Sequence, residues 1–331
     1  MSETASPRPE VSEEEKEQRL TLIQREAAAL ASGGPKLAIA SAERGYYELP
    51  VLKEPTWTWE IPIYFFVGGA AGTAAVIAGI AEWTGASPKL VRDARRISLG
   101  GALLSPILLI SDLGRPERFL AMLRVFKPQS PMSVGVWILM AFSGATTAAN
   151  FGAWLRERSM LPGLAALLER AGDIGALMFG LPFASYTGVL IGATAIPVWN
   201  CNVGLLPGHF LASGVGASVG LLELAGHDEP ALQWLGMGAA ITETAVGAKI
   251  ETKRDASEAP LRRGKSGLLI RLGGVLSGPV PLALRVASLF MKPKHAQKVR
   301  KYAAVSAIVG SAITRVAWIQ AGHVSARESR P

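Results

Sequence analysis

Charged residues withdraw from this chain for long stretches and return in short bursts. No Asp, Glu, Lys or Arg occurs in 61–81, 131–155 or 174–222, and a shorter apolar run covers 97–111. A hydrocarbon core takes roughly 20 helical residues to cross, so the first two long runs each predict one membrane-spanning helix. The third is too long for one. IPVWNCN at 196–202 places Pro197, Trp199, Asn200 and Asn202 inside it as a polar, helix-breaking corner, which divides it into two spans. Adding 97–111 and the charge-pricked segments near 230–249, 268–291 and 302–322 predicts eight transmembrane helices. The expected class is all-α integral membrane with a polar N-terminal extension over 1–45 and a polar tail over 324–331.

Between these runs lie elements of other kinds. Residues 11–32 predict an amphipathic helix, with Leu20, Ile23, Ala27 and Leu30 on one side and Glu15 and Arg19 paired at i, i+4 on another. Residues 46–59, YYELPVLKEPTWTW, combine prolines with four aromatics, and Trp57 and Trp59 fit a membrane-interface belt. The glycine cluster GGAAG at 68–72 fits close helix packing better than nucleotide binding.

Composition agrees with a membrane protein: 49% of the 331 residues are hydrophobic, 18% are charged, and the mean hydropathy is +0.28. The net charge of +8 would suggest nucleic acid in a soluble protein, but these cations flank apolar spans and face lipid headgroups. Membrane lipid is therefore an expected partner and nucleic acid is not. The single cysteine, Cys201, excludes an intrachain disulfide and an iron–sulfur cluster held by this chain alone. Of the four histidines only His209 lies well inside a span, which argues against a bis-histidine haem. No Walker loop, HExxH or Cys/His metal grouping occurs, and no signal peptide is recognised at the start. With an even number of spans both termini share one side; lysines and arginines divide equally between the two sets of loops, and the long polar head favours a cytoplasmic placement.

Ionisable groups at membrane depth tend to be functional. Glu60 and Tyr64 share a helix face at the entry of span one. Asp112 closes span two, where LGRP at 113–116 breaks the helix, and the stretch to Ser133 carries four cations and two acids. By topology that edge lies on the same membrane side as Glu60 and the 196–202 corner. Asp112 and Arg115 are either a capping ion pair or part of a proton-exchanging pocket for a lipid-soluble redox molecule. Tyr186, within span four, requires a hydrogen-bond partner there, either a neighbouring backbone group or a ligand. In the second half, Glu223, Glu243, Arg271, Arg285 and Arg315 are either packing ion pairs or steps of a proton route.

The segments PTWTWEIPIYFFVGGAAG (55–72), SPILLISDLGRPERFLAMLRVFKPQSPMSVGVW (105–137), YTGVLIGATAIPVW (186–199) and LPGHFLASG (206–214) resemble the NrfD/PsrC family. Its members are integral-membrane subunits of polysulfide-reductase-like enzymes. The resemblance spans about 46–225, with 226–323 matching mainly in apolar pattern. It implies eight helices in two four-helix bundles, the first bundle and the start of the second falling in 46–225. It also implies a four-cluster iron–sulfur partner, a molybdopterin catalytic subunit carrying molybdenum or tungsten, and exchange of electrons with menaquinone or ubiquinone. No haem or cluster is expected in this protein itself.

On the family pattern Tyr64 and Tyr186 bond the quinone carbonyls, and Glu60 and Asp112 exchange protons. Arg115 holds Asp112 ionised or docks the partner, and His209, in LPGHFLASG, joins the quinone contacts. Some relatives carry histidine or asparagine near the start of span one, where this protein has Glu60 and Tyr64. The expected function is a membrane anchor of a formate dehydrogenase-like or polysulfide/thiosulfate reductase-like complex, not catalytic alone, in the cytoplasmic (inner) membrane of a prokaryote. An ion or solute transporter and a purely structural anchor are the alternatives.

Overall fold

The computed structural model describes Thr21, residues 52–253 and residues 255–328. The polar head lies outside the described residues apart from Thr21, and so does the rest of the helix expected over 11–32. Every regular element among the described residues is helical. In chain order they are α1 (Glu60–Trp83), α2 (Pro88–Asp112), the short α3 (Arg118–Met122), α4 (Pro131–Glu157), α5 (Pro162–Gly192), the short α6 (Pro197–Asn200), α7 (Leu206–Leu224), α8 (Pro230–Thr252), the short α9 (Ala259–Arg262), α10 (Gly264–Ser277), α11 (Pro279–Leu289) and α12 (Pro293–Glu328).

Proline explains where many of these start. It stands in the first turn of α2, α4, α5, α6, α7, α8 and α11, where its missing N–H would have had no partner and its fixed φ suits a helix. Ser130 adds a side-chain cap to α4 by accepting from the Ser133 backbone N–H. The 174–222 run divides as expected, with α5 ending at Gly192 and α7 beginning at Leu206 around the short α6.

Among the described residues six helical stretches are long and apolar enough to cross a membrane: α1, α2, α4, α5, the α10–α11 stretch over 264–289, and α12. The protein is a multi-pass membrane protein. α7 and α8, at 19 and 23 residues, fall outside that set of six. The helices also outrun the apolar runs, since α2 begins at Pro88 and α5 at Pro162, so Arg95, Glu169 and Asp173 belong to helices. The 268–291 segment is interrupted at Gly278, where φ is −109° and ψ is −93°. Pro279 and Pro281 follow and lack the N–H groups that would continue α10. A Cβ at Gly278 would lie 2.9 Å from the Thr244 backbone nitrogen, so α8 approaches this break closely.

α1 packs against α2 and α5, and α4 against α5 and α2, while α12 packs against α7, α10 and α11. α7 touches α1, α5, α8 and α12 and so joins the two sets. Small residues set these distances: Gly72 and Gly180 meet where α1 crosses α5, a Cβ at Gly180 falling 2.6 Å from the Gly72 carbonyl oxygen, and Gly69 meets Gly214 where α1 crosses α7. With no hydrophobic force between helices in lipid, such close backbone approach supplies the dispersion contact that holds them. The glycine cluster at 68–72 thus serves packing.

Candidate functional site

The end of α1 that carries Glu60 meets the C-terminal end of α2, the start of α4 and the last turns of α5 around a small cavity of about 70 Å³. Its walls are apolar, from Trp57, Ile61 and Phe65 on one side and Leu109, Val136 and Leu190 on the other. Three polar side chains reach it, namely Tyr64, Asp112 and Tyr186. Leu113, Met122 and Met132 complete the lining. The space holds about two waters.

Tyr64 and Tyr186 are both buried, and their hydroxyls contact each other. The partner that Tyr186 requires is therefore a second phenol from a helix 122 positions earlier in the sequence. α4 yields room for this: a Cβ at Gly135 would fall 2.1 Å from Tyr186 Cε2, so only glycine lets the ring approach α4 this closely. Phe183 stacks on Phe142 at 4.6 Å and lies 6.1 Å from Tyr186, which fixes the phenol from behind.

Asp112 is half-buried and takes its hydrogen bonds from Thr58. The Thr58 backbone N–H and hydroxyl both donate to Asp112 Oδ1, at 3.1 and 2.9 Å. The same hydroxyl contacts Glu60 Oε2. One hydroxyl carries one proton, so Thr58 can donate to only one of these two carboxyls at a time. Thr58 went unmarked in the sequence because it lies outside any helix and is a neutral residue between two tryptophans. Trp57, expected at the lipid interface, instead stacks on Trp199 of the 196–202 corner at 5.5 Å, whereas Trp59 is exposed as a belt residue would be.

The remaining sequence candidates lie elsewhere. Glu60 reaches the cavity only through Thr58. Arg115 is exposed and makes no ion pair among the described residues, because the turn at Gly114 (φ +66°) carries the backbone away from Asp112. His209 is a correction as well: it points into the α7–α8 contact, where Nδ1 lies 2.9 Å from Glu243 Oε1, and the Phe210 ring beside it meets Phe65. Ser277 donates to the other Glu243 oxygen at 2.7 Å, and Arg315 donates to the Phe210 carbonyl while lying 3.8 Å from that ring. Arg285 is bound by both oxygens of Glu223 at 2.6 and 2.8 Å. Arg271 is no core charge; it is exposed and paired with Glu251. Arg95, which no sequence signal marked, is buried and bonded to Glu82, Glu169 and Asp173. It escapes notice because the apolar run of its helix begins only after it.

The cavity's outer wall is tied down from the far end of the sequence. Glu54 accepts from Arg327 at 2.6–2.9 Å and pairs with His323 at 3.0 Å. The hydrogen bonds from Arg327, helped by His323, hold the Glu54 carboxyl below its ordinary range.

Residues 51–226 match the family model described as polysulphide reductase, NrfD. The chain belongs to the NrfD family. The match contains the whole cavity and ends just after α7. Among NrfD-like relatives, the C subunit of polysulfide reductase from Wolinella succinogenes is 29% identical over 180 residues, which are 49% of this protein and 56% of that one. Protein NrfD of Escherichia coli is 27% identical over 192 residues, 51% of this protein and 59% of its own length. The matched region thus spans little more than half the length of these curated relatives.

Proposed function

We propose that this NrfD-family protein is the quinone-interacting membrane anchor of a molybdopterin oxidoreductase complex. In this reading it exchanges electrons between an iron–sulfur partner subunit and menaquinone or ubiquinone in the inner membrane of a prokaryote. The observation that carries the reading is the convergence of Tyr64, Asp112 and Tyr186, from three helices, on one apolar cavity at a helix-bundle end. The name of the Wolinella relative, a lettered subunit of a reductase, supports membership of a multi-subunit redox assembly. The pairings of α1, α2, α4 and α5 on one side and α7, α8, α10–α11 and α12 on the other support eight crossings in two four-helix bundles.

The residues fit a quinone in their chemistry. Aromatic and aliphatic walls suit a flat ring, the phenols are hydrogen-bond donors for carbonyl oxygens, and a carboxylate stands where protons must enter or leave. The fit in volume requires Met122 and Met132, flexible thioethers, to swing outward. A bound quinone would supply a two-electron, two-proton couple. The protein's part is then to release the Tyr64–Tyr186 bond so that each hydroxyl can donate to the ligand, to exclude bulk water with Trp57 and Phe65, and to move protons at Asp112 Oδ1. Thr58 holds that oxygen in place and connects it through Glu60 to the membrane surface.

Purification of the tagged protein from native membranes in mild detergent tests this reading. Co-elution of an iron–sulfur protein and a molybdenum- or tungsten-containing subunit, together with extractable quinone, is expected. A protein recovered alone, without metal-bearing partners or quinone, would contradict it.

A further inference from the structure

A second cavity lies at the opposite ends of α2 and α4 from Asp112. It has a volume of about 810 Å³, and its lining is graded. On α2, Arg92 and Arg96 stand at one end, with Leu99 and Leu103 following on the same helix face. α4 runs the other way, with Asn150 bonded to the Arg95 carbonyl and Thr146 beside Ser98, so Phe151, Trp154 and Arg156 stand beside the arginines while Thr147 accompanies Leu99. Arg92 and Asp112 are separated along α2 by about 30 Å of helical rise, which matches the hydrocarbon thickness. The arginines therefore reach the membrane surface opposite the Asp112 cavity.

Charge in this groove is unevenly committed. Arg95 is buried and satisfied by Glu82, Glu169 and Asp173. Arg92 is exposed and makes no ion pair among the described residues. Arg96 reaches only Asp93, at 3.4 Å, with its side chain 67% exposed, and Arg156 contacts Glu169 at 2.9 Å with its side chain 64% exposed. With Arg95 and its acidic partners set aside, Arg92, Arg96 and Arg156 stand against Glu157 in the lining. Phe151, at the level of Arg95, is 49% exposed, and deeper along the groove Leu103 is 55% exposed. Leu103 lies about 16 Å of helical rise beyond Arg92, past the middle of the hydrocarbon core, where a water-soluble occupant cannot follow.

Guanidiniums at the membrane surface above an apolar trough complement a phosphodiester carried on acyl chains. We propose that this groove binds one anionic phospholipid, its phosphate among Arg92, Arg96 and Arg156 and an acyl chain along Leu99, Leu103 and Phe151. The site is separate from the quinone cavity and faces the other leaflet, so its occupancy does not depend on the redox reading.

Native mass spectrometry of the full-length protein, with phosphatidylglycerol and phosphatidylcholine supplied together at equal concentration, tests this. Wild type is expected to retain phosphatidylglycerol preferentially, and Arg92→Gln/Arg96→Gln to lose about fivefold of that preference per arginine. Arg92→Lys/Arg96→Lys keeps the charge and is expected to keep most of the preference, which separates binding from folding. Equal retention of the two lipids by wild type, or an unchanged preference in the glutamine variant, overturns the proposal. Displacement of the lipid by millimolar inorganic phosphate also overturns it, because the site would then read a free anion.

Discussion

Two phenols that satisfy each other give a sharp expectation at the level of single residues. Tyr64→Phe leaves the buried Tyr186 hydroxyl without its partner and is expected to destabilise the protein by about 1–3 kcal/mol, whereas Tyr64→Phe/Tyr186→Phe removes both polar atoms and is expected to be nearly neutral. Thermal unfolding of the two singles and the double in detergent measures this; an additive double would mean the hydroxyls are not coupled. Thr58→Val should leave the helices intact while freeing Asp112, and quinone-linked turnover is expected to fall by about tenfold or more, with Thr58→Ser restoring it. Both tyrosines and Asp112 were legible in the sequence, because a phenol or carboxylate inside or at the edge of an apolar run stands out. Thr58 and Gly135 were not. A threonine before a helix and a glycine within one carry no signal until another segment is placed against them.

Helix crossings were legible only in part, for a physical reason. Apolar runs locate the stretch inside lipid, but helices continue past it, and so Arg95, Glu169 and Asp173 are helical although they lie outside those runs. The corner at 196–202 could be read because proline and asparagines coincide there, and so could the break at Gly278, because Pro279 and Pro281 follow it directly. Close crossings make glycine positions sensitive: Gly135→Ala would push the Tyr186 ring off α4 and is expected to reduce quinone-linked turnover without removing any polar group, which activity in membranes would show. The tie from Glu54 to α12 has a pH dependence. Because Arg327 and His323 hold this carboxyl below its ordinary range, the tie contributes above that range and is lost as pH falls through the lowered value. Hydrogen exchange at residues 52–58, corrected for intrinsic rates, is expected to be slow at neutral pH and faster near pH 3 in wild type, and fast at both in Arg327→Gln. Equal protection at the two pH values would contradict the assignment.

On the scale of the whole molecule, the family match ends just after α7, the first helix of the second set, and that set is held by buried charge. Arg285 and Glu223 form a pair almost without solvent contact, so Arg285→Ala would strand a buried carboxylate and is expected to cost about 3–5 kcal/mol; expression level and thermal unfolding would report it. The first set carries the cavity. The most direct measurement of its role is quinol-linked turnover of the intact complex containing Tyr64→Phe/Tyr186→Phe, the variant expected to fold and assemble as wild type does. A loss of about a hundredfold or more in turnover with quinol, while partner subunits co-purify in normal amounts and an artificial electron donor still supports activity, is the expected result. Wild-type turnover with quinol in that variant would remove this cavity from electron exchange.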